Sequence, residues 1–207
     1  MGNRTSDLPE LKGIPRLIRE ARYHEFSRQA IGILLVAAYA WWATPVKELF
    51  WPGAVIAVIG ILVRLYASGF VMKNKELATT GPYSLVRHPL YTGNILMLVG
   101  FCLANGMIWP SLVGAFFLWF WYPPAISYED NKLHRIFGDS WKEWSTRTPA
   151  LIPRSIIPEF GAGTSWSFAK SMRVNYEPVI VVYSVFWLYW LWTKLPTSIT
   201  PEFTSPF

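Results

Sequence analysis

Charged residues are scarce in this chain. Of its 207 residues only 15% are Asp, Glu, Lys or Arg, whereas 52% are hydrophobic and 17% are aromatic. Soluble domains carry about 25% charged residues, because their surface must be hydrated. The composition therefore excludes an ordinary soluble domain and predicts an integral membrane protein.

Cysteine is almost missing as well. Cys102 is the one cysteine and lies in an apolar stretch, which leaves no internal disulfide and no cysteine-based metal site, and we predict no metal centre. The sequence also lacks the mixed aromatic and basic strand pattern that is typical of nucleic-acid binding. The net charge of +6 therefore indicates membrane topology and attraction to anionic membrane lipids, with no nucleic-acid partner.

Long apolar runs are the main feature that the chain does have. Uncharged or nearly uncharged runs occupy residues 30–44, 50–72, 89–108, 109–126 and 178–192. A helix that crosses a bilayer needs about 20 such residues, so we predict a single all-α membrane domain, residues 1–207, with about five transmembrane helices. The first run is short, which leaves a tilted or partly interfacial helix as an alternative there.

Lysine and arginine predict the orientation of these helices. Six of them lie in residues 1–28, three in 73–87 and seven in 128–175, whereas the alternate connections hold one each or none. By the positive-inside rule the basic amino-terminal segment, residues 1–29, and both basic connections are cytoplasmic, and the carboxyl terminus is outside. A bacterial inner membrane and an endoplasmic reticulum both remain open.

A polar motif, GPYSLVRHPLYTG at residues 81–93, leads into the third run. Pro89 fits the first turn of a helix, where its missing N–H costs nothing, and this places His88 near the N-cap. We therefore expect the N–H groups of residues 90–92 to be unpaired and to favour an anion.

Two carboxylates follow the fourth run. The third and fourth runs form a hairpin, so Glu129 and Asp130 should emerge on the cytoplasmic face where His88 begins. The Pro123-Pro124 pair should end or kink the returning helix. An apolar stripe at helical spacing then predicts an amphipathic helix beside the site, formed by Leu133, Ile136, Phe137, Trp141 and Trp144.

Four short motifs resemble the isoprenylcysteine carboxyl methyltransferase family, which is related to membrane phospholipid N-methyltransferases. They are RLYASG at 64–69, LATTGPY at 77–83, RHPLYTG at 87–93, and Glu129-Asp130 followed by Phe137-Gly138. The resemblance covers residues 60–153, so that residues 154–207 form a surface segment and an extra carboxyl-terminal helix. It implies S-adenosylmethionine in a cytoplasmic pocket closed by the end of the helical core and the following amphipathic helix. It also implies a lipid-like or isoprenoid acceptor that enters from the bilayer.

The predicted site combines residues of these motifs. Arg64 and Glu129 are the predicted catalytic residues. Cofactor contacts are predicted for Tyr83, Arg87, His88, Pro89, Tyr91, Asn94, Glu129 and Asp130. Glu129 suits the cofactor's ammonium or ribose hydroxyls, and His88 with nearby backbone N–H groups suits its carboxylate. The family usually has two glutamates where this chain has Glu129 and Asp130, which makes Glu129 the primary candidate.

Arg64 lies inside an apolar run, where an uncompensated charge is costly. It should face protein or a water-filled cavity and orient the acceptor, with snorkelling to the headgroups as the alternative.

The predicted reaction is methyl transfer to a carboxyl, thiol or amine group of the acceptor. Positioning and desolvation can supply much of the rate, so no nucleophile of the chain is needed. A carboxylate could be oriented by Arg64, whereas an amine would need a base such as His88 or Glu129. Two alternatives remain: an NADPH-dependent membrane sterol or lipid reductase of related fold, and a non-catalytic membrane assembly or lipid-binding protein.

Overall fold

The computed structural model describes Thr5 and residues 8–70, 76–161, 166–173 and 176–196. These ranges are helical and contain no strand, which confirms the all-α class for them. Their helices are α1 (Ile14–Tyr23), α2 (Glu25–Trp41), α3 (Lys47–Phe70), α4 (Pro82–Leu85), α5 (Pro89–Ala104), α6 (Trp109–Phe137), α7 (Asp139–Arg147), α8 (Phe168–Arg173) and α9 (Glu177–Thr193). Several features used in the predictions lie outside the described residues, namely the end of the second run at 71–72, the cations Arg4, Lys73 and Lys75, and the tail from 197.

Each predicted apolar run falls mainly on one helix: α2, α3, α5, α6 or α9. Within the described ranges α3, with 24 residues, is the helix that is long and apolar enough by length and composition to cross a membrane. The helix α5 is apolar but has only 16 residues. The helical nature of the runs is thus confirmed, and five membrane crossings stay a prediction.

Glycines hold α3 and α5 together in direct backbone contact. A Cβ atom placed on Gly60 would lie 2.7 Å from the carbonyl oxygen of Gly93, and one on Gly100 would lie 2.6 Å from the carbonyl oxygen of Gly53. The pairing runs antiparallel, since the lower-numbered glycine of α3 meets the higher-numbered one of α5. Small residues allow such close approach in membrane helix pairs. The contact places the end of α3, which carries Arg64, beside the start of α5.

Large apolar side chains point outward from most of these helices. Examples from α2, α3, α6 and α9 are Leu34, Leu62, Trp119 and Val182, all of them exposed. Apolar surface spread over several helices is unusual for a protein surrounded by water and typical of one that contacts lipid.

The helix α6 continues through Pro123 and Pro124, so these prolines do not end the returning helix, and a kink at this point stays a prediction. A proline inside a helix leaves the carbonyl four residues earlier without its usual N–H donor. For Pro124 that carbonyl belongs to Phe120, and the side chain of Arg22 on α1 donates to it from Nε at 2.9 Å. A contact from another helix therefore compensates part of the cost.

The predicted amphipathic stripe is divided between two helices. Gly138, with φ of +54°, ends α6 and starts α7, and its N–H donates to the carbonyl of His134 at 2.8 Å. Glycine adopts this left-handed conformation without the Cβ penalty. Trp144, on α7, is buried and donates from Nε1 to the carbonyl of Tyr83 at 3.2 Å. The stripe therefore packs α7 against the segment that precedes His88.

Candidate active site

Arg87, His88 and Asp130 form a hydrogen-bonded cluster. The Nη2 and Nε atoms of Arg87 lie 2.8 Å and 3.2 Å from the two carboxylate oxygens of Asp130, and His88 Nε2 lies 2.9 Å from Oδ1. His88 is buried, at 6% exposure. The geometry confirms that the hairpin brings the two motifs together, and it gives Asp130 a defined contact.

The segment after α7 clamps this cluster from the other side. The backbone N–H groups of Arg87 and His88 donate to the carbonyls of Pro149 and Ala150 at 2.8 Å and 3.1 Å. The Nη1 atom of Arg87 also donates to the carbonyl of Thr148 at 2.7 Å. Arg87 is thereby fixed on both sides. Within the described residues, its contacts serve mainly to hold the fold together around His88 and Asp130.

The start of α5 offers an anion fewer free N–H donors than predicted. The N–H groups of Tyr91 and Thr92 both donate to the carbonyl of His88, at 2.9 Å and 3.0 Å. The prediction that the N–H groups of residues 90–92 are unpaired is therefore wrong for Tyr91 and Thr92, because the carbonyl of His88 points toward the first turn of the helix. Pro89 occupies the first position of α5, as predicted, and is buried.

The pKa of the Asp130 carboxyl lies below its usual value. Burial alone would raise this pKa, but the hydrogen bonds and positive charge of His88 and Arg87 together lower it by more. A depressed native pKa means that the carboxylate stabilises the fold at pH values above its ordinary pKa of about 3.9. That contribution is lost as the pH falls through the lower native value.

The Asp130→Asn variant should therefore unfold more easily than the wild type at neutral pH. We expect the difference in unfolding free energy to be constant from pH 7 to about pH 5 and to shrink below about pH 4, where the wild-type carboxyl is protonated first in the unfolded chain and then, at lower pH, in the folded protein. Thermal unfolding of purified protein across this pH range measures it. Asp139→Asn, at the exposed start of α7, is the control for loss of a carboxylate elsewhere, and an equal effect of both variants at every pH would contradict the prediction.

Glu129 contrasts with its neighbour Asp130. It is half-buried, and among the described residues it has no hydrogen bond or ion pair. Its charge lies close enough to the hydroxyls of Tyr83 and Tyr91 to act on both. Tyr83 is buried, and burial raises its pKa. Glu129 is thus the carboxylate of the acidic motif that is available to a ligand.

Aromatic rings connect His88 to the amino-terminal part of the chain. His88 and Tyr91 stack with ring centres 5.5 Å apart, and Tyr91 meets Tyr122 edge to face at 5.7 Å. The guanidinium of Arg28, from α2, lies 4.8 Å from the centre of the Tyr91 ring and 5.8 Å from that of Tyr122. Arg28 is buried, at 8% exposure. The site therefore includes a cation from α2 that was absent from the predicted set.

Arg64 forms a second polar cluster deeper in the helices. Its Nη2 and Nε atoms donate to the two carboxylate oxygens of Glu177 at 2.7 Å and 3.1 Å, and its Nη1 donates to Asn94 Oδ1 at 2.6 Å. The hydroxyl of Ser68 donates to Glu177 at 2.7 Å. Arg64 is 6% exposed and Glu177 is 1% exposed. As expected, Arg64 faces protein and does not snorkel.

Glu177 and Arg28 are absent from the predicted site for different reasons. Glu177 directly precedes the last apolar run, and a buried arginine in another run calls for a carboxylate at some helix end, so a search for its counter-charge could have found it. Arg28 was counted only as one cation of a basic segment, and nothing in the linear sequence indicates that it turns inward.

Two pockets lie at the edges of the site. One of about 300 Å³ is lined by Leu8, Tyr23, Ser127, Tyr128, Asn131, His134 and Arg135. Another of about 490 Å³ is lined by Glu76, Leu77, Thr79, Phe137, Ser140, Glu143, Trp144 and Arg147. Neither is lined by a predicted site residue, so the closed cofactor pocket stays a prediction. Within the described ranges no three His, Cys, Asp or Glu residues come together to hold a metal ion.

The clustered residues belong to one region of known sequence similarity. The sequence model of the phospholipid methyltransferase family matches residues 28–140, more than half of the chain. The chain belongs to the phospholipid methyltransferase family. The match includes Arg28, Arg64, His88 and Glu129 but ends before Glu177. It confirms the resemblance seen in the motifs and makes the protein a member of a family of methyltransferases.

Individual relatives are similar over shorter stretches. The chain is 40% identical over 103 residues to the nickel-cobalt-cadmium resistance protein NccN of Alcaligenes xylosoxydans xylosoxydans. The aligned stretch covers 49% of this chain and 47% of that protein. It is 38% identical over 115 residues to the cobalt-zinc-cadmium resistance protein CzcN of Cupriavidus metallidurans. Here the aligned stretch covers 55% of this chain and 52% of the relative. It is also 33% identical over 88 residues to a protein-S-isoprenylcysteine O-methyltransferase of Schizosaccharomyces pombe, which covers 42% and 36%.

The chain thus spans about half or less of the length of each of these relatives. No solved structure matches it.

Proposed function

We propose that this protein is a membrane methyltransferase that uses S-adenosylmethionine to methylate a lipid-like or isoprenoid acceptor. One observation carries the proposal: Glu129 is a half-buried carboxylate without a protein partner among the described residues, next to the anchored Asp130 and inside the family match. A carboxylate withdrawn from water without a partner is costly, so a ligand that supplies donors is favoured. S-adenosylmethionine carries such donors in its ammonium and ribose hydroxyls.

The chain's own residues suit the binding of this cofactor, which supplies a methyl group on a positively charged sulfur. Glu129 accepts from the ammonium or the ribose. The stacked rings of His88 and Tyr91 provide an aromatic wall. Asp130 and Arg87 hold His88 in its orientation. Because these groups are fixed by the fold, their contribution is to position the methyl donor and to exclude water.

The acceptor meets the second cluster. We assign Arg64 a positioning role together with Asn94 and Glu177, since its donors are bound to these two residues. A carboxylate acceptor must compete with Glu177 for the guanidinium, whereas a thiol or amine does not. An amine would have to lose a proton, and a base such as His88 or Glu129 would take it.

The same arrangement supports the predicted topology. Arg64 lies toward the end of α3, Asn94 toward the start of α5, and Glu177 at the start of α9. In an orientation with five crossings and a cytoplasmic amino terminus, all three lie near the cytoplasmic ends of their helices. The acceptor's chain would then extend into the bilayer, in a bacterial inner membrane or an endoplasmic reticulum, while its reactive group reaches the cofactor.

The Glu129→Gln variant tests the proposal. Membranes with wild-type or variant protein are incubated with methyl-labelled S-adenosylmethionine and host lipid extract, and the organic-soluble label is separated by chromatography. We expect the variant to lower labelling by about 10- to 100-fold, the effect of losing a charge-assisted hydrogen bond worth about 1.5–3 kcal/mol.

Glu20→Gln changes a carboxylate of α1 whose side chain is 40% exposed; it serves as the control and should label like the wild type. Equal labelling by wild type and Glu129→Gln would sink the proposed role of Glu129. Absence of labelled lipid from wild-type membranes, with extracts from several hosts, would favour the reductase or the non-catalytic alternative.

A further inference from the structure

The charges around the site do not all have partners. Arg64 is paired with Glu177, and Arg87 is paired with Asp130. Arg28 and Glu129 remain, and neither has an oppositely charged partner in the part of the chain that the structure describes. The site therefore holds one unmatched cation and one unmatched anion.

Arg28 is held in place without using most of its donors. It is 8% exposed, and its one side-chain hydrogen bond within the described ranges runs from Nη2 to the hydroxyl of Tyr91 at 3.3 Å. The rings of Tyr91 and Tyr122 lie against the guanidinium. A guanidinium has five N–H donors, and arginines this deeply buried are normally paired with anions. Its geometry suits the bidentate binding of a carboxylate.

Both unmatched charges lie near the hydroxyl of Tyr91. Arg28 and Glu129 each lie close enough to its hydroxyl to act on it electrostatically. Glu25, one turn before Arg28, also acts on Tyr91, but it is exposed and accepts a hydrogen bond from Gln29 at 3.3 Å. An ammonium and a carboxylate carried on one ligand would satisfy both buried charges at once. That pair is the head group of an α-amino acid.

We propose that Arg28 binds the carboxylate of the amino-acid part of S-adenosylmethionine, while Glu129 binds its ammonium. The inference rests on the proposed function. It assigns the cofactor's carboxylate to Arg28 and not, as predicted from the sequence, to His88 and the N–H groups at the start of α5. The N–H groups of Tyr91 and Thr92 donate to the carbonyl of His88, so the carboxylate could not bind these two groups without breaking those bonds. Arg28 has free donors in the described structure, and α2 thereby contributes to the cofactor site.

Calorimetric titration of the full chain, purified in detergent, tests the inference with three ligands. S-adenosylhomocysteine has both charges, its decarboxylated analogue has only the ammonium, and methylthioadenosine has neither. For the wild type, loss of the carboxylate should weaken binding by about 10- to 100-fold. Arg28→Gln should weaken S-adenosylhomocysteine binding by a similar factor and leave the other two ligands within about 3-fold, since they lack the group that Arg28 binds.

Two further variants test whether the charge of Arg28 itself is responsible for the effect. Arg28→Lys retains the charge and should recover part of the S-adenosylhomocysteine affinity, and Glu25→Gln should leave all three affinities unchanged. If Arg28→Gln binds S-adenosylhomocysteine like the wild type, the anion at Arg28 comes from elsewhere, such as a lipid phosphate, and the inference is overturned. It is overturned as well if both Arg28 variants lose all three ligands in parallel. A wild type that binds none of the three contradicts the proposed function itself, and the inference fails with it.

Discussion

Replacing Glu177 with alanine is expected to destabilise the protein by about 3–5 kcal/mol, the cost of removing one partner of a buried ion pair. The substitution leaves the guanidinium of Arg64 at 6% exposure, with Asn94 as its remaining partner among the residues that the structure describes. Ser68, which donates to Glu177, loses its acceptor as well. The charge of Arg64 is then uncompensated inside the helices, which is the main cause of the loss.

Unfolding of purified protein in mixed micelles, followed by tryptophan fluorescence, measures this effect. The double variant Arg64→Met, Glu177→Leu removes both charges and should be more stable than Glu177→Ala, because apolar replacement of a buried pair is often neutral. Glu143→Gln breaks the exposed pair with Arg147 and should change stability by no more than about 0.5 kcal/mol. A Glu177→Ala effect as small as this control would show that the pair contributes nothing to the fold.

The hairpin that unites His88 with the acidic motif could be predicted from the sequence. Two adjacent apolar runs must return the chain to the side from which it started, so the ends of the hairpin meet whatever the detailed packing. The family resemblance of the motifs and the helical nature of the runs could also be predicted, because both depend on local sequence. The proximity of His88 to the acidic motif, seen in the 2.9 Å distance between His88 Nε2 and Asp130, is the direct result.

The assignment of partners could not be predicted in this way. Which carboxylate of Glu129 and Asp130 is anchored depends on where Arg87 and His88 point, and that depends on the segment at 148–150 that clamps them. Pairing between Arg64 and Glu177 joins positions 113 residues apart. In α6, which continues beyond Pro124, the carbonyl of Phe120 accepts a hydrogen bond from Arg22, a residue of another helix. Each of these outcomes is set by tertiary contacts that no local pattern contains.

Gly60→Leu is expected to destabilise the protein by about 3 kcal/mol or more, at the upper end of the effects of overpacking. Even the Cβ atom of the new side chain would lie 2.7 Å from the carbonyl oxygen of Gly93 and 2.7 Å from the N atom of Met97. Backbone atoms of a helix cannot give way as a flexible side chain can, so α3 and α5 must separate. Because Arg64 and His88 lie on opposite sides of this contact, we also expect weaker cofactor binding in whatever folded protein remains.

Gly32→Ala is the matched control, because a Cβ atom there would lie 3.5 Å from the ring of Phe117, an ordinary van der Waals distance. Alanine inside a helix is favoured over glycine by about 0.5–1 kcal/mol, so this variant should be neutral or slightly more stable. Adding a side chain to a helical glycine then has opposite signs at two positions: at Gly60 the Cβ would overlap backbone atoms of α5, and at Gly32 it would make an ordinary contact. Unfolding measurements that gave both variants the same sign would mean that helix propensity, and not the contact between α3 and α5, governs these glycines.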